Sequence, residues 1–169
     1  MENRGYETIL VGAEDGVATI TLNVPERKNP LGPQMVNELL WALDDARDDP
    51  SVRVIVLTGA GRAFCAGYDL KDFAEAPAGN RGTGAASGDA RPWDPMVDFN
   101  MMFANTRDFM SLWRSYKPTI AKVRGFAVAG GSDIALCCDM VVMAEDAKIG
   151  YPPARVWGCP TTAMWVYRL

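Results

Sequence analysis

Histidine is absent from all 169 residues. That removes Ser-His-Asp and Cys-His nucleophilic catalysis, and with them every imidazole-ligated metal site. Cysteine is scarce: Cys65, Cys137, Cys138 and Cys159 show no C-x-x-C spacing, and two of them are adjacent. Neither a zinc site nor a disulfide framework is expected, and reduced thiols in a cytoplasmic setting are the default. No apolar run approaches the ~18 residues that a membrane span needs. The first residues show no apolar core of a secretory leader. The net charge of −4 and the lack of a basic patch give no electrostatic footprint for nucleic acid. Any chemistry must therefore use carboxylates, backbone amides, or Tyr, Lys and Cys groups.

The length fits one domain over residues 1–169, burying roughly two-thirds of its unfolded surface. Residues 6–11 and 17–23 flank a Gly- and Asp-rich turn at 12–16, which predicts a β-hairpin. Pro33 suits the first turn of a helix, and Met35, Val36, Leu39, Leu40 and Leu43 then fall at helical spacing up to about Asp48. Residues 52–57 (VRVIVL) read as an apolar strand. A strand, a crossover helix and a strand predict an α/β layer with a partly parallel sheet. A short helix is expected at 69–75. Residues 76–95 (APAGNRGTGAASGDARPWDP) are of low complexity and are expected to be a mobile loop. A helix is expected over 97–116, with its Met and aromatic positions read mainly as core. Short strands follow at 140–144 and 147–150, then a loop at 151–160. Thr161 is the expected cap of a last helix beginning at Thr162.

Residues 117–139 (KPTIAKVRGFAVAGGSDIALCCD) carry the strongest local signal. A β-branched strand at 119–123 feeds a turn with three glycines in 125–131, then a small, apolar helix at 132–138. A helix start exposes backbone N–H groups and the positive end of the helix dipole. Such a place can hold an anion or a developing oxyanion. The turn also suits simple close packing of helix on strand.

A second stretch, AFCAGYD at 63–69, pairs with GFAVAGGSD at 125–133. Together they resemble the crotonase (enoyl-CoA hydratase/isomerase) superfamily, and the resemblance runs from Glu7 to Leu169. It implies a crotonase-like α/β fold, a ββα spiral shared with Clp-type peptidases. It also implies that the usual C-terminal helical region, which covers the site and builds the trimer, lies beyond this chain. The same resemblance implies an acyl-CoA thioester as substrate, no separate cofactor or metal, and a homotrimer or hexamer of the full-length chain. The two oxyanion donors it implies are the backbone N–H groups of Tyr68 and Gly130. Ala66, Asp69, Leu70 and Lys71 match the segment that cradles CoA. Arg27, with Lys28, is a candidate for a CoA phosphate, as against two solvated loop cations.

Hydration needs two carboxylates. The first position of the family's pair is Asp133, and the second is Pro153, which can do no acid–base work. Residues 153–162 hold no Asp or Glu at all. Tyr68, Tyr151, Cys159, Asp72 and Glu75 are further groups near the expected site, each more readily read as structural. Asp139 reads as a structural aspartate at a strand start. The expectation is an enoyl-CoA hydratase/isomerase family enzyme of atypical or isomerase-type chemistry, with Asp133 as the sole candidate base. The alternative is a non-catalytic acyl-CoA-binding protein. A Clp-type peptidase is disfavoured by the missing histidine.

Overall fold

The structure, a computed structural model, describes residues 4–70, 95–155, 160 and 162–169. Strands β1 (Ile9–Glu14) and β2 (Val17–Leu22) form an antiparallel hairpin. Asp15 and Gly16 close it with φ values of 50° and 83°. A two-residue turn with positive φ at both positions matches the twist of its strands, and Asp-Gly suits it. The ladder therefore runs through Gly12, Ala13 and Glu14, which the sequence reading gave to the turn.

Helix α1 (Pro33–Asp48) packs Met35, Leu39, Ala42, Leu43 and Ala46 against the sheet. Its one buried carboxylate, Glu38, accepts the Thr8 hydroxyl at 2.6 Å and the Thr8 and Glu7 N–H groups at 2.8 and 3.1 Å. Those bonds tie the helix to the entry of β1. The Lys117 ammonium binds the Ala46 and Asp49 carbonyls at 2.9 and 2.6 Å, so a cation closes the negative end of the helix.

Strand β3 (Val54–Gly59), helix α2 (Pro95–Trp113), β4 (Thr119–Val123), β5 (Phe126–Val128), α3 (Gly130–Cys137), β6 (Met140–Met143), β7 (Lys148–Gly150) and α4 (Met164–Arg168) complete the described chain. β1-β2-β3-β4-β6 form one sheet, parallel from β2 onward, and β5 and β7 pair in a second. Two single bridges extend the second layer, Leu31 with Tyr68 and Cys65 with Ala127. Its order is then Leu31, residues 65–68, β5, β7, and it runs in step with β2, β3, β4 and β6. Each turn of the chain lays one strand in the first sheet and one rung in the second. The first three turns go on into a helix. This is the expected ββα spiral.

Three of the four helices start or end elsewhere than in the sequence reading. α2 begins at Pro95, which composition had placed in the loop, and ends at Trp113; the Tyr116 hydroxyl instead bonds the Arg47 carbonyl at 2.8 Å. α3 begins at Gly130 rather than Ser132, and all eight of its residues are buried. α4 begins at Met164 after Ala163 (φ 56°), so Thr162 stays outside the helix. The expected cap Thr161, residues 71–75 of the short helix expected at 69–75 and residues 76–94 of the loop expected at 76–95 lie outside the described residues. Among the described residues no helix is long and apolar enough to cross a membrane.

Candidate active site

Two glycine-bearing turns meet at the second layer. The first is residues 65–69. The Cys65 N–H donates to the Phe126 carbonyl and the Cys65 carbonyl accepts from Val128, so this residue faces β5. On the other edge, the Ala66 N–H donates to the Lys28 carbonyl at 3.0 Å. Gly67, at φ 90°, then turns its carbonyl towards Leu31, whose N–H donates to it at 2.8 Å, and Leu31 in return accepts the Asp69 N–H at 3.0 Å. A trans peptide sets its N–H antiparallel to its C=O. With the Gly67 carbonyl on Leu31, the Tyr68 N–H points away from Leu31.

The second turn is 128–133. Ala129 sits at φ 50°, ψ −126°, a conformation that L residues adopt only at a cost. Its N–H donates to the Gly150 carbonyl of β7 at 3.0 Å. Its carbonyl accepts the Ser132 and Asp133 N–H groups at 2.9 and 3.2 Å and the Ser132 hydroxyl at 2.6 Å. That carbonyl points into α3, so the Gly130 N–H of the same peptide points out of the helix start. The strain at Ala129 aims this donor.

The turns touch. A Cβ added to Gly67 would lie 2.7 Å from the Ala129 Cβ and 3.4 Å from the Gly130 nitrogen. One added to Gly131 would lie 2.6 Å from the Cys65 carbonyl oxygen and 2.7 Å from its Cβ. Only glycine at these two positions lets the helix start come this close to residues 65–67.

A buried asparagine sets the outer wall. Asn29 accepts the Val24 N–H at 2.9 Å and donates to the carbonyls of Ala60, Ala63 and Phe64 at 2.9 to 3.1 Å. It fixes the loop before α1 to the segment that leads into Cys65. Sequence reasoning missed this residue; the Asn29-Pro30 pair signals only a turn, and its tertiary partners lie more than thirty residues on.

The expected site residues fall as follows. Tyr68 and Gly130 are adjacent: the Tyr68 ring edge is 3.5 Å from where a Gly130 Cβ would stand. Burial pushes the Tyr68 phenol well above its ordinary value, the Asp133 charge adds to this, and hydrogen bonding with Asn105 opposes it. Its ring also lies 5.9 Å from that of Phe109. Asp133 is fully buried on the first turn of α3, where the helix dipole favours a negative charge, and the Thr162 hydroxyl donates to its Oδ1 at 3.3 Å. Pro153 lies in a short 3₁₀ turn, Pro152–Arg155, just past the Gly150 that holds Ala129. Asp69 is buried, and its Oδ1 stands 2.5 Å from the Arg27 guanidinium. That pair joins the loop before α1 to the first turn. Leu70 is exposed. Lys71, Asp72, Glu75 and Cys159 lie outside the described residues. Asp139 accepts the Thr119 N–H and hydroxyl at 2.8 and 2.9 Å, which joins β6 to β4 as a structural aspartate would.

A family model described as enoyl-CoA hydratase/isomerase matches residues 12–168. A Thermus thermophilus protein named as an enoyl-CoA hydratase is 43% identical over 148 residues, which are 87% of this chain and 53% of that protein. The hydroxycinnamoyl-CoA hydratase-lyase of Pseudomonas fluorescens is 35% identical over 157 residues, 92% of this chain and 51% of its own length. The crystal structure of an enoyl-CoA hydratase from Mycobacterium smegmatis superposes with a TM-score of 0.83 at 42% identity, covering 96% of this chain and 56% of that one. The chain spans about half the length of the curated relatives it matches. With the spiral, the two paired turns and the match over residues 12–168 in agreement, the chain belongs to the enoyl-CoA hydratase/isomerase family.

Proposed function

We propose that this chain binds an acyl-CoA thioester and carries it through an enolate. The Tyr68 and Gly130 N–H groups receive the thioester oxygen, and Asp133 is the base. The observation that carries this reading is the orientation of two peptide groups. Each has its carbonyl committed elsewhere, Gly67 to Leu31 and Ala129 to α3, so the two N–H groups are turned outward from adjacent turns. Preorganised backbone donors of this kind stabilise charge as it moves onto a carbonyl oxygen.

The proton balance is simple. The Asp133 carboxylate takes a proton from the α-carbon. The C–H pair becomes the enolate double bond, and the carbonyl π pair moves to the oxygen between the donors. Return of the proton at the α-carbon gives exchange with solvent, and return at the γ-carbon of an enoyl chain moves the double bond. Hydration would need a second carboxylate, and Pro153 stands where the family resemblance puts it. The reading is therefore isomerase-type or otherwise atypical chemistry. CoA itself would follow Ala66 and residues 69–71. Arg27, held on Asp69 and 40% exposed, is the candidate for a CoA phosphate. The same reading takes no cofactor beyond the acyl-CoA substrate and places a homotrimer or hexamer of the whole protein in the cytoplasm.

Pro153 also supports a second reading, an acyl-CoA-binding protein that has lost turnover. One experiment separates them: calorimetric binding of 3-butenoyl-CoA and free CoA, followed by solvent-deuterium exchange at its saturated α-carbon. The catalytic reading expects exchange that Asp133→Asn lowers by about 10²- to 10⁴-fold, with binding retained. Binding without exchange in either protein favours the second reading. No binding overturns both.

A further inference from the structure

Behind the first turn of α3, a carboxylate, a hydroxyl and a thiol converge. Asp133 is fully buried, and Thr162 is 7% exposed, with its hydroxyl on Asp133 Oδ1. Cys137, four residues on from Asp133, is also buried, with its thiol 3.8 Å from the Met110 sulfur. Burial pushes that thiol up to about 12, against a pull from the Thr162 hydroxyl, so at neutral pH it keeps its proton. A threonine hydroxyl has one proton to give. A neutral thiol is a weak acceptor, whereas a carboxylate accepts strongly. The Thr162 proton therefore goes to Asp133.

Thr162 is held there by its surroundings. Ala163, at φ 56°, turns the chain into α4 only after Thr162. α4 in turn is fastened to the far end of α3. The Arg168 guanidinium donates to the Cys138 and Asp139 carbonyls at 2.7 and 3.1 Å and stacks 4.8 Å from the Trp113 ring. Met164 is buried beside it in the core.

We propose that Thr162 is a positioning residue for Asp133, holding its carboxylate in one orientation and in the ionised form that a base requires. This rests on the enolate reading above. Among the described residues, the titratable groups that face Asp133 include Tyr68 from the first turn and Cys137 from its own helix, and both stay neutral at physiological pH. A hydrogen bond donated to the charged form lowers a carboxyl pKa, so its removal must raise it.

The test is the pH profile of α-proton exchange on 3-butenoyl-CoA, whose α-carbon is saturated, for the whole chain and three variants. Thr162→Val keeps the shape and deletes the hydroxyl. It is expected to lower the exchange rate constant about tenfold at pH 7, with half-saturation unchanged, and to move the acid limb up by about one pH unit, since loss of a bond to a charged group is of that size. Thr162→Ser keeps the hydroxyl and is expected to restore both rate and limb. Should the valine variant fail to fold, as judged by circular dichroism, Thr162→Ala carries the same expectation. An acid limb that stays in place in the hydroxyl-free variant overturns the inference, whatever the rate, and leaves the base reading intact. Absence of exchange in the wild type overturns the base reading and this inference together.

Discussion

Gly67 is followed two residues later by Asp69, and Gly131 two residues later by Asp133. Both aspartates are buried, at 4% and 0% exposure, and both lie against the paired turns. Asp69 meets a guanidinium at 2.5 Å and, through it, fastens the loop before α1. Asp133 meets a hydroxyl at 3.3 Å at the positive end of a helix. A carboxylate paired with a cation in this way fastens one loop to another. Asp133, at the positive end of a helix and beside a neutral hydroxyl, is the carboxylate proposed above as the base. The glycines differ as well. Gly67 supplies a backbone conformation, whereas Gly131 supplies only an absent side chain.

The sharpest break is Gly67→Ala. It adds a Cβ 2.7 Å from that of Ala129 and forces a positive φ on an L residue, a loss of about 3 kcal/mol from overpacking and strain combined. Urea unfolding measures it, and crotonyl-CoA binding should vanish with it. Asn29→Ala comes next, because it strips a donor from three carbonyls and an acceptor from the Val24 N–H; about 2 kcal/mol is expected by the same measurement. Asp69→Asn is smaller. The Arg27 partner is 40% exposed, so solvent screens the pair, and the loss should be about 1 kcal/mol. It should raise half-saturation by the acyl-CoA, since residues 69–71 are proposed to follow CoA, but leave the exchange rate constant at saturation within about twofold, where Asp133→Asn lowers it about 10²- to 10⁴-fold; equal losses of that rate constant in the two variants would collapse the contrast between them. The smallest effect carries the opposite sign. Ala129→Gly relieves the positive φ and should raise stability by up to about 1 kcal/mol. Its exchange rate should nevertheless fall, since the Gly130 N–H is then less firmly aimed.

Much of this was readable in the sequence. The apolar run at 52–57 places β3 within two residues, and the glycine turn before Ser132 places the start of α3 within two as well. Both signals are local, arising from burial on two faces and from backbone freedom. The hairpin turn was read too wide because Gly12 looks like a turn residue, while the ladder overrides that propensity. Asn29 and Thr162 were not singled out. Neither has a local signature, and each acts on partners about thirty residues away. Pro153 was legible as a chemical departure, yet its place in a 3₁₀ turn beside Gly150 comes from the fold.

The four rungs of the second layer bear on how the chain tolerates changes in length. Leu31, residues 65–68, β5 and β7 are locked side by side; one donor lies on the second rung and the other just past the third. An extra residue at Asp15-Gly16 only lengthens a hairpin tip far from them. A single insertion between Gly59 and Cys65 would slide the second rung against both neighbours and carry the Tyr68 N–H off its aim. Gly59 itself admits no added Cβ, since Phe64 and Ala63 carbonyls stand 2.3 and 2.5 Å from that point. The segment joining β3 to the first turn thus works as a ruler, and natural variation in loop length should be found on either side of it and not within it.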